Sequence, residues 1–477
     1  MLNIAQTATA KIRQLVAPRE PKLTPSDVQT ARQYIKNYWP KLTRHFPKDD
    51  DSLIGLPNPY LVPAHEGGHD YDFDELYYWD SYFMVQGMLD QDHKDLVVGI
   101  LENLLDLQKR FKIIPNASRT YLTGRSQPPL LTSFIFDVYE AFNTPDLRKT
   151  SSPPDRINSP ANGFSSLDVS TDTSSSDKTV FARINSPQGR GISRKSSVDK
   201  KWLKNAIEIA QQEYETVWMG TAKPNWRNVY KGLSRYFDVN ILNDLAETES
   251  GWDMTPRFEH KALNFLPVDL NALLFKYETD FARAERIFGD DIKAKQWENV
   301  ARRRKKTMNE LMWSNVHDFY FDYNYVKEKR GSVKSLAGYY PMWAGMVDDR
   351  QAWQMVKNLR HYDQPGGLST TDQQLSELMP GQIPTQWAYP NGWAPLHFMV
   401  VKALQRYGYT HDAQRIALKW LKTNLDWFNK NGLFLEKYNV VQPDRPPVKG
   451  VYPSPIGFGW TNAVFERFCQ EFIDDNK

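Results

Sequence analysis

The stretch DLVVGILENLLDLQKRF, residues Asp95–Phe111, is the clearest indicator of how this chain folds. Its apolar residues recur at spacings of three and four, which places them along one face of an α-helix. The same spacing occurs in Lys201–Trp218, Asp280–Trp313 and Ala413–Asn429. The alternation of apolar and polar residues that is typical of β-strands is scarce. The pattern predicts an all-α protein.

The segments around these stretches support a helical scaffold. Leu23-Thr24-Pro25-Ser26-Asp27-Val28 combines a cap residue with an early proline and predicts the start of a helix. The connecting segments are rich in Gly, Pro, Trp, Tyr and charged residues. Loops at one end of a rigid scaffold often carry binding and catalytic groups. We therefore expect an enzyme whose site is built from loops.

Composition restricts the class of protein. A chain of 477 residues with 40% hydrophobic content can bury a large core, so we expect a globular protein. Its 60 basic and 57 acidic side chains give a net charge of +3 and are spread along the chain. Without a concentrated basic stripe, nucleic acid is not expected as a partner. The single cysteine, Cys469, excludes an intramolecular disulfide and favours a reducing compartment.

The sequence also bears on location. Residues Met1–Arg19 have no continuous apolar core of the kind that a secretory signal needs. Nowhere in the chain is there an apolar run long enough to cross a bilayer. We therefore expect no membrane partner and a cytoplasmic location.

The segment from Asn143 to about Val198 differs in composition from the rest of the chain. It is rich in Ser, Thr, Pro, Asp and Arg and poor in large apolar residues. Such a segment cannot bury enough surface to offset its ordering entropy, so a disordered insertion is predicted within a single domain of residues 1–477. The insertion is either a tolerated loop expansion or a regulatory segment with phosphorylation contexts such as Arg194-Lys195-Ser196-Ser197.

Two short motifs place a carboxylate where it has the surroundings of a catalytic group. They are Glu249-Ser250-Gly251-Trp252-Asp253 and Glu436-Lys437-Tyr438. Cleavage of a glycosidic bond needs one protonated carboxyl group to donate to the leaving oxygen and one ionised carboxylate to activate water or attack. A carboxylate beside Lys437 or Arg257 is more often a structural charge, so each motif alone is a weak indicator.

Further motifs occur in a fixed order along most of the chain. They are Glu75–Tyr82, Ile114–Tyr121, Arg125–Pro129, Glu249–Phe258, Pro267–Asn271, Gln386–Pro395, Glu436–Tyr438 and Gly457–Asn462. With these motifs in this order, the chain resembles the trehalase family of inverting glycoside hydrolases. The resemblance implies an (α/α)6 toroid with its site at one end of the barrel. It also implies that Asp253 is the general acid and Glu436 the general base.

The resemblance further implies a set of substrate-binding residues. They are Phe73, Trp79, Asp80, Asn116, Arg125, Gln127 and Trp387. These residue types suit a sugar pocket, because an indole stacks on a sugar face and a carboxylate accepts hydroxyl hydrogen bonds. Arg125 is expected to keep the base carboxylate ionised. Trp393 is expected either to wall the site or to pack in the core, and a structural ion pair is the alternative for Asp80 and Arg125.

Four departures from the family pattern concern the half of the site that holds the leaving group. Asp72 stands where the family has an arginine, and Ala388 stands where it has an aspartate. The family's Pro-Arg-Pro-Glu-Ser-Tyr segment is missing upstream of Glu249, and its glycine-rich loop ending in a glutamate has become Val448–Pro453. These losses would leave hydroxyls of a second glucose unpaired, which discriminates against trehalose.

We therefore predict an inverting hydrolase of a small α-glucoside, with glucosylglycerol as the first candidate and trehalose as the alternative. No metal or cofactor is expected. Glucosylglycerate and mannosylglycerate are disfavoured, because Asp72 removes a cation that a carboxylate aglycone would need. A non-catalytic sugar-binding protein would lack the acid or the base. A phosphorylation-controlled scaffold would leave the ordered motifs unexplained.

Overall fold

Helices dominate the computed structural model, which describes residues 23–65, 73–143, 197–373, 385–448, 450 and 454–474. The α-helices in these ranges are α1 (Pro25–Leu42), α2 (Tyr78–Val85), α3 (Lys94–Phe111), α4 (Leu131–Asn143), α5 (Lys200–Glu213), α6 (Asn243–Thr248), α7 (Val268–Phe288), α8 (Asp291–Leu311), α9 (Tyr340–Trp343), α10 (Asp349–Asn358), α11 (Ala394–Arg406), α12 (Thr410–Asn431) and α13 (Gly459–Cys469). The prediction of an all-α protein is confirmed.

The β-structure of the described residues consists of short antiparallel pairs. The strands are β1 (Thr43–Arg44), β2 (Tyr60–Leu61), β3 (Asn228–Tyr230), β4 (Leu233–Ser234), β5 (Phe265–Leu266), β6 (Trp313–Ser314), β7 (Phe319–Tyr320), β8 (Tyr323–Asn324), β9 (Lys329–Arg330), β10 (Asp363–Gln364), β11 (Gly367–Leu368), β12 (Asn391–Trp393) and β13 (Lys437–Asn439). Strand β5 extends the pair β8–β9 to three strands, and the other strands pair two by two. The pair β12–β13 joins two connections that are distant in sequence, with Trp393 opposite Lys437.

The predicted helical stretches form helices close to their expected bounds. Helix α1 begins at Pro25 directly after Thr24, where the sequence has its cap residue and early proline. Asp95–Phe111 lies within α3, and Ala413–Asn429 lies within α12. Lys201–Trp218 forms α5 followed by one π-helical turn.

One predicted stretch is corrected. Asp280–Trp313 shows a single helical spacing, but the structure divides it between α7 and α8. Gly289 ends α7 with a φ of +91°, a conformation that only glycine adopts at little cost. The Asp290 side chain then accepts a hydrogen bond from the Lys293 backbone N–H at 2.9 Å and caps α8. The two helices pack against each other as neighbours.

Six helices form an inner ring, and they alternate along the chain with six outer helices. The inner helices α2, α4, α7, α9, α11 and α13 have most of their residues buried. They pack in the order α2, α13, α11, α9, α7, α4. Tyr82 of α2 contacts Phe134 of α4, with ring centroids 6.2 Å apart, and so closes the ring. This is the (α/α)6 toroid that the sequence predicts.

The outer helices are α1, α3, α5, α8, α10 and α12, and α6 lies in a connection between the two rings. Every connection from an outer helix to the next inner helix leads to the N-terminus of that inner helix. These connections therefore carry their side chains to the same end of the toroid.

The described residues other than Ser197 belong to one compact unit, Met1–Asn143 with Val198–Lys477, and Thr144–Ser197 form a second unit. The predicted insertion lies outside the described residues except at its ends. At one end Asn143 is the last residue of α4, and at the other Val198 is buried just before α5. The disorder of this segment stays a prediction. Among the described helices, none combines the length and the apolar character that a membrane span requires.

A buried ion pair between α7 and α8 provides a test of the ring packing. Arg304 donates from Nε to Glu278 Oε1 at 2.7 Å, and both side chains are buried. Arg304→Met keeps most of the aliphatic stem but leaves the Glu278 carboxylate without its cation. We expect the free energy of unfolding, measured by urea denaturation, to fall by about 3–5 kcal/mol.

Arg302→Met on the exposed face of the same helix is the matched control. Its effect on the free energy of unfolding is expected to stay within about 0.5 kcal/mol. Equal losses in the two variants would show that the buried pair does not hold α7 to α8.

Candidate active site

A cavity of about 350 Å³ lies where the connections that precede the inner helices meet. Its lining residues are Pro63, Phe73, Tyr77, Trp79, Asp80, Asn116, Tyr121, Leu122, Arg125, Gln127, Thr248, Gly251, Asp253, Trp387, Glu436, Pro455, Phe458 and Trp460. The nine site residues predicted from the sequence are all among them. The volume lies within the range of small-molecule sites.

The nine residues come from five places on the ring. Trp79 and Asp80 stand in the first turn of α2, and Phe73 lies just upstream of it. The α3–α4 connection supplies Asn116, Arg125 and Gln127. The connections before α7, α11 and α13 supply Asp253, Trp387 and Glu436, in that order.

Gln127 joins the α3–α4 connection to the start of α2. Its Oε1 accepts a hydrogen bond from the Trp79 backbone N–H at 2.9 Å, and its side chain also hydrogen-bonds Asp80. Burial raises the pKa of Asp80 to about 8, and the charges of Glu436 and Asp253 contribute in the same direction. Three carboxyl groups therefore share one cavity, and they are not all ionised together at neutral pH.

Asp253 follows a backbone turn that depends on Gly251. The φ of Gly251 is +71°, and a Cβ atom there would lie 2.5 Å from Cε2 of Trp79. This close approach fixes the acid-bearing loop against the floor of the cavity. Burial raises the pKa of Asp253 to about 7, while the charge of Arg125 lowers it and that of Glu436 raises it.

Among the described residues, Lys437 contacts Glu436, and the expected effect of the Arg125 charge on Glu436 stays a prediction. Lys437 Nζ donates to Glu436 Oε2 at 2.6 Å, and both side chains are buried. Arg125 instead donates to Asp238 Oδ2 at 3.1 Å and acts electrostatically on Asp253. The Glu436 backbone carbonyl accepts from Trp460 Nε1 at 3.1 Å, which fixes the segment just before β13 to α13.

Glu249 has a structural role that the sequence motif did not indicate. Its carboxylate accepts hydrogen bonds from the backbone N–H groups of Ser126 and Phe237, each at 2.7 Å. It also accepts from Arg227 Nε at 3.1 Å, and both partners of this ion pair are buried. Since Ser126 lies between Arg125 and Gln127, Glu249 holds two cavity residues from behind.

Trp393 does not line the cavity. It stacks behind Trp387, with ring centroids 3.7 Å apart and planes 3° apart, so the core-packing alternative holds. Ala388 is buried and also lies outside the lining. Tyr77 and Trp460 also line the cavity. They were not predicted as site residues, although they stand in the motifs Glu75–Tyr82 and Gly457–Asn462.

Some of the residues predicted to surround the leaving group lie outside the described residues. Asp72 is outside the described residues, and of Val448–Pro453 only Val448 and Gly450 are described. The segment upstream of Glu249 is described. From it, Thr248 alone reaches the cavity, and its hydroxyl donates to the Leu245 carbonyl at 2.8 Å.

Comparison with known proteins agrees with this geometry. A protein-family model described as Trehalase matches residues 6–472. The chain belongs to the trehalase family. The family resemblance predicted from the sequence is confirmed.

Two relatives are named as trehalases of different cellular compartments. The cytosolic neutral trehalase of Kluyveromyces lactis is 32% identical over 87% of this chain and 56% of its own length. The periplasmic trehalase of Citrobacter koseri is 30% identical over 93% of this chain and 74% of its own length. The chain thus spans little more than half of the yeast relative. A cytoplasmic location stays a prediction.

Solved structures share the fold. The neutral trehalase of Saccharomyces cerevisiae has a TM-score of 0.67 at 25% identity, covering 94% of this chain and 80% of that chain. A mannosylglycerate hydrolase from Thermus thermophilus has a TM-score of 0.59 at 16% identity, covering 92% and 99%. These trehalase-family and related toroids confirm the predicted fold.

The contact between Gly251 and Trp79 predicts a large effect of a single methyl group. Gly251→Ala would place Cβ against the indole and force Trp79 or the acid-bearing loop to move. We expect kcat/KM for glucose release to fall about 100-fold, because small displacements of catalytic groups have effects of this size.

Gly432→Ala is the matched control, because Gly432 has the same φ of +71° and a Cβ there would meet nothing within 4 Å. Both variants carry the conformational cost of about 1–2 kcal/mol in the free energy of unfolding. The Gly251 variant alone should lose activity beyond that. Similar kcat/KM in the two variants would contradict the proposed contact.

Proposed function

We propose that the protein is an inverting glycoside hydrolase that cleaves the α-glucosidic bond of a small glucoside, with glucosylglycerol as the first candidate. The presence of Asp253 and Glu436 in one cavity, with aromatic and amide groups around them, carries this proposal. Inversion needs an acid and a base on opposite faces of the bond, with about 6.5–9.5 Å between the carboxyl groups to admit a water molecule.

Asp253 acts as the general acid. Its raised pKa, caused mainly by burial, leaves a substantial fraction protonated near neutral pH. It donates its proton to the glycosidic oxygen while the bond to the anomeric carbon breaks. The leaving group departs as a neutral alcohol, which is glycerol for the first candidate.

Glu436 acts as the general base. It removes a proton from a water molecule that attacks the anomeric carbon from the other face, so an α-glucoside releases β-glucose. The Lys437 ammonium donates to Glu436 Oε2 and holds the carboxylate in place. Asp80, Asn116 and Gln127 supply hydrogen-bonding groups for the glucose hydroxyls, and Trp79 and Trp387 supply aromatic surface.

The preference for a small leaving group rests on what the segment before Glu249 offers. Where family members place an arginine and a glutamate, this chain contributes Thr248 to the cavity. A glucose unit has several hydroxyls to satisfy, and unpaired polar groups on binding cost affinity. Glycerol has fewer hydroxyl groups that need hydrogen-bond partners on the side of the cavity near Thr248. Trehalose, the substrate in the names of the relatives, is the alternative.

The substrate preference is tested by glucose release from glucosylglycerol, trehalose and glucosylglycerate under identical conditions. We expect the highest kcat/KM for glucosylglycerol, by about 10-fold or more over trehalose, which corresponds to the loss of one or two hydrogen bonds. Trehalose cleaved at least as efficiently would refute the proposed aglycone and leave the acid and base assignments standing.

The proposed roles of Asp253 and Glu436 are distinguished by changing the leaving group of the substrate and by adding an external nucleophile. Asp253→Asn should lose about 10²–10⁴-fold in kcat on glucosylglycerol but much less on α-glucosyl fluoride, whose leaving group needs little protonation. Glu436→Gln should lose activity on both substrates, and azide should restore it by forming β-glucosyl azide without a base. If azide instead restores Asp253→Asn, and Glu436→Gln keeps its activity on α-glucosyl fluoride, then Glu436 is the acid and Asp253 the base.

The pH dependence of kcat/KM follows from the requirement that Asp253 be protonated. Because the pKa of Asp253 is raised to about 7, activity on glucosylglycerol should fall as the pH rises through about 7. In Asp253→Asn, assayed with α-glucosyl fluoride, this alkaline decline should disappear. A decline that persists in the variant would assign the limb to another member of the carboxyl cluster.

A further inference from the structure

Three indoles stack directly behind the candidate active site. The ring centroids of Trp252 and Trp387 lie 5.4 Å apart with planes 22° apart, and those of Trp387 and Trp393 lie 3.7 Å apart. All three rings are buried, and of the three only Trp387 lines the cavity. We name these three residues the indole stack.

A cation covers each end of the indole stack. The guanidinium carbon of Arg257 lies 4.5 Å from the ring centroid of Trp252, and Lys437 Nζ lies 4.9 Å from that of Trp393. Cations are attracted to the face of an indole. Arg257 is itself held by Asp269 at 3.0 Å and by Asp322 at 3.0 Å. The stack is therefore fixed at both ends.

The indole stack connects the two segments that bear the catalytic carboxyl groups. Trp252 directly precedes Asp253 in the chain, and Lys437 directly follows Glu436. Trp393 of β12 is the register partner of Lys437 in β13. A rigid path thus runs from the acid-bearing loop through three rings to the base-bearing strand.

We propose that the indole stack sets the separation of Asp253 and Glu436, and that Trp393 and Lys437 are positioning residues. The proposal rests on the proposed function, since inversion demands a separation of about 6.5–9.5 Å. Ring contacts of 5.4 and 3.7 Å give the stack a thickness of that order. Close-packed rings resist compression, which makes the stack an effective spacer.

Lys437 has two functions in this arrangement. The ammonium group that caps Trp393 also donates to Glu436 Oε2 at 2.6 Å. One group therefore fixes the direction of the base carboxylate and the position of the last ring.

The test compares variants on α-glucosyl fluoride, which removes the dependence on the natural aglycone. Lys437→Met removes the ammonium and keeps the stem, and Lys437→Arg keeps the charge. Trp393→Phe leaves part of the indole volume unfilled and so loosens the packing of the spacer. Trp313→Phe is the control, because this indole is also buried and packs on Tyr320 at 4.8 Å, away from the cavity lining.

We expect Lys437→Met and Trp393→Phe to lower kcat about 100-fold with little change in KM, because the base is displaced while the glucose-binding residues are retained. Azide should restore both variants, since it attacks the anomeric carbon without needing a base. Lys437→Arg should lose less kcat than Lys437→Met, because it keeps a cationic donor beside Glu436. Trp313→Phe should leave kcat and KM unchanged.

The outcomes separate the positioning role from the proposed function. Equal losses of kcat in Trp313→Phe and Trp393→Phe, or losses that azide does not restore, would overturn the positioning role and indicate general destabilisation. The positioning role would also be overturned if the wild-type chain is active and the Lys437 and Trp393 variants keep its kcat. A wild-type chain inactive on α-glucosyl fluoride, glucosylglycerol and trehalose would overturn the proposed function and the positioning role together.

Discussion

The candidate active site depends on the buried carboxylate of Glu249. It holds Ser126 in the α3–α4 connection and Phe237 in the connection after α5, and Arg227 balances its charge. The same residue begins the loop that carries Asp253. Removing one partner of a buried ion pair leaves an uncompensated charge and is strongly destabilising. The contacts of Glu249 therefore hold together the α3–α4 connection, the connection after α5 and the loop that carries Asp253. The ring of helices supplies the frame, but this interaction brings the cavity side chains into register.

The cavity concentrates charge that a stable core would avoid. Asp80, Asp253 and Glu436 line the same cavity, and burial raises the pKa of Asp80 and of Asp253. Two features of the fold offset this cost. The inner helices direct their N-termini, where the helix dipole favours negative charge, toward this end of the ring. Lys437 and Gln127 then contact individual carboxyl groups. The site is thus held in a state suited to proton transfer at some cost to folding stability.

Local patterns in the sequence predicted the fold and the membership of the cavity better than they predicted the contacts. Helical spacing located the outer helices α3, α5 and α12. It failed at Gly289, because the two-residue break before α8 does not interrupt an apolar pattern. The motif order placed nine residues around one cavity. It could not show that Lys437, rather than Arg125, contacts Glu436, since two cations near a carboxylate are alike in sequence. Nor could it show that Trp393 stands behind Trp387, because burial and stacking depend on β12 pairing with β13.

The position of Glu249 also explains where the family pattern can change. Apart from Trp387, the residues proposed to bind the cleaved glucose lie on or just before α2 and in the α3–α4 connection, which Glu249 holds through Ser126. The segment before it ends at Thr248, in the short helix α6 that lies outside the alternation of the two rings. A change in the length or polarity of that segment alters what meets the leaving group without moving Ser126 or Asp253. The segment that lacks the family's Arg and Glu ends just before the motif Glu249–Phe258, so this one departure lies next to a motif that the chain keeps. Under the proposed function, the specificity for the leaving group can therefore change while packing around Glu249 holds the Asp253 loop in place.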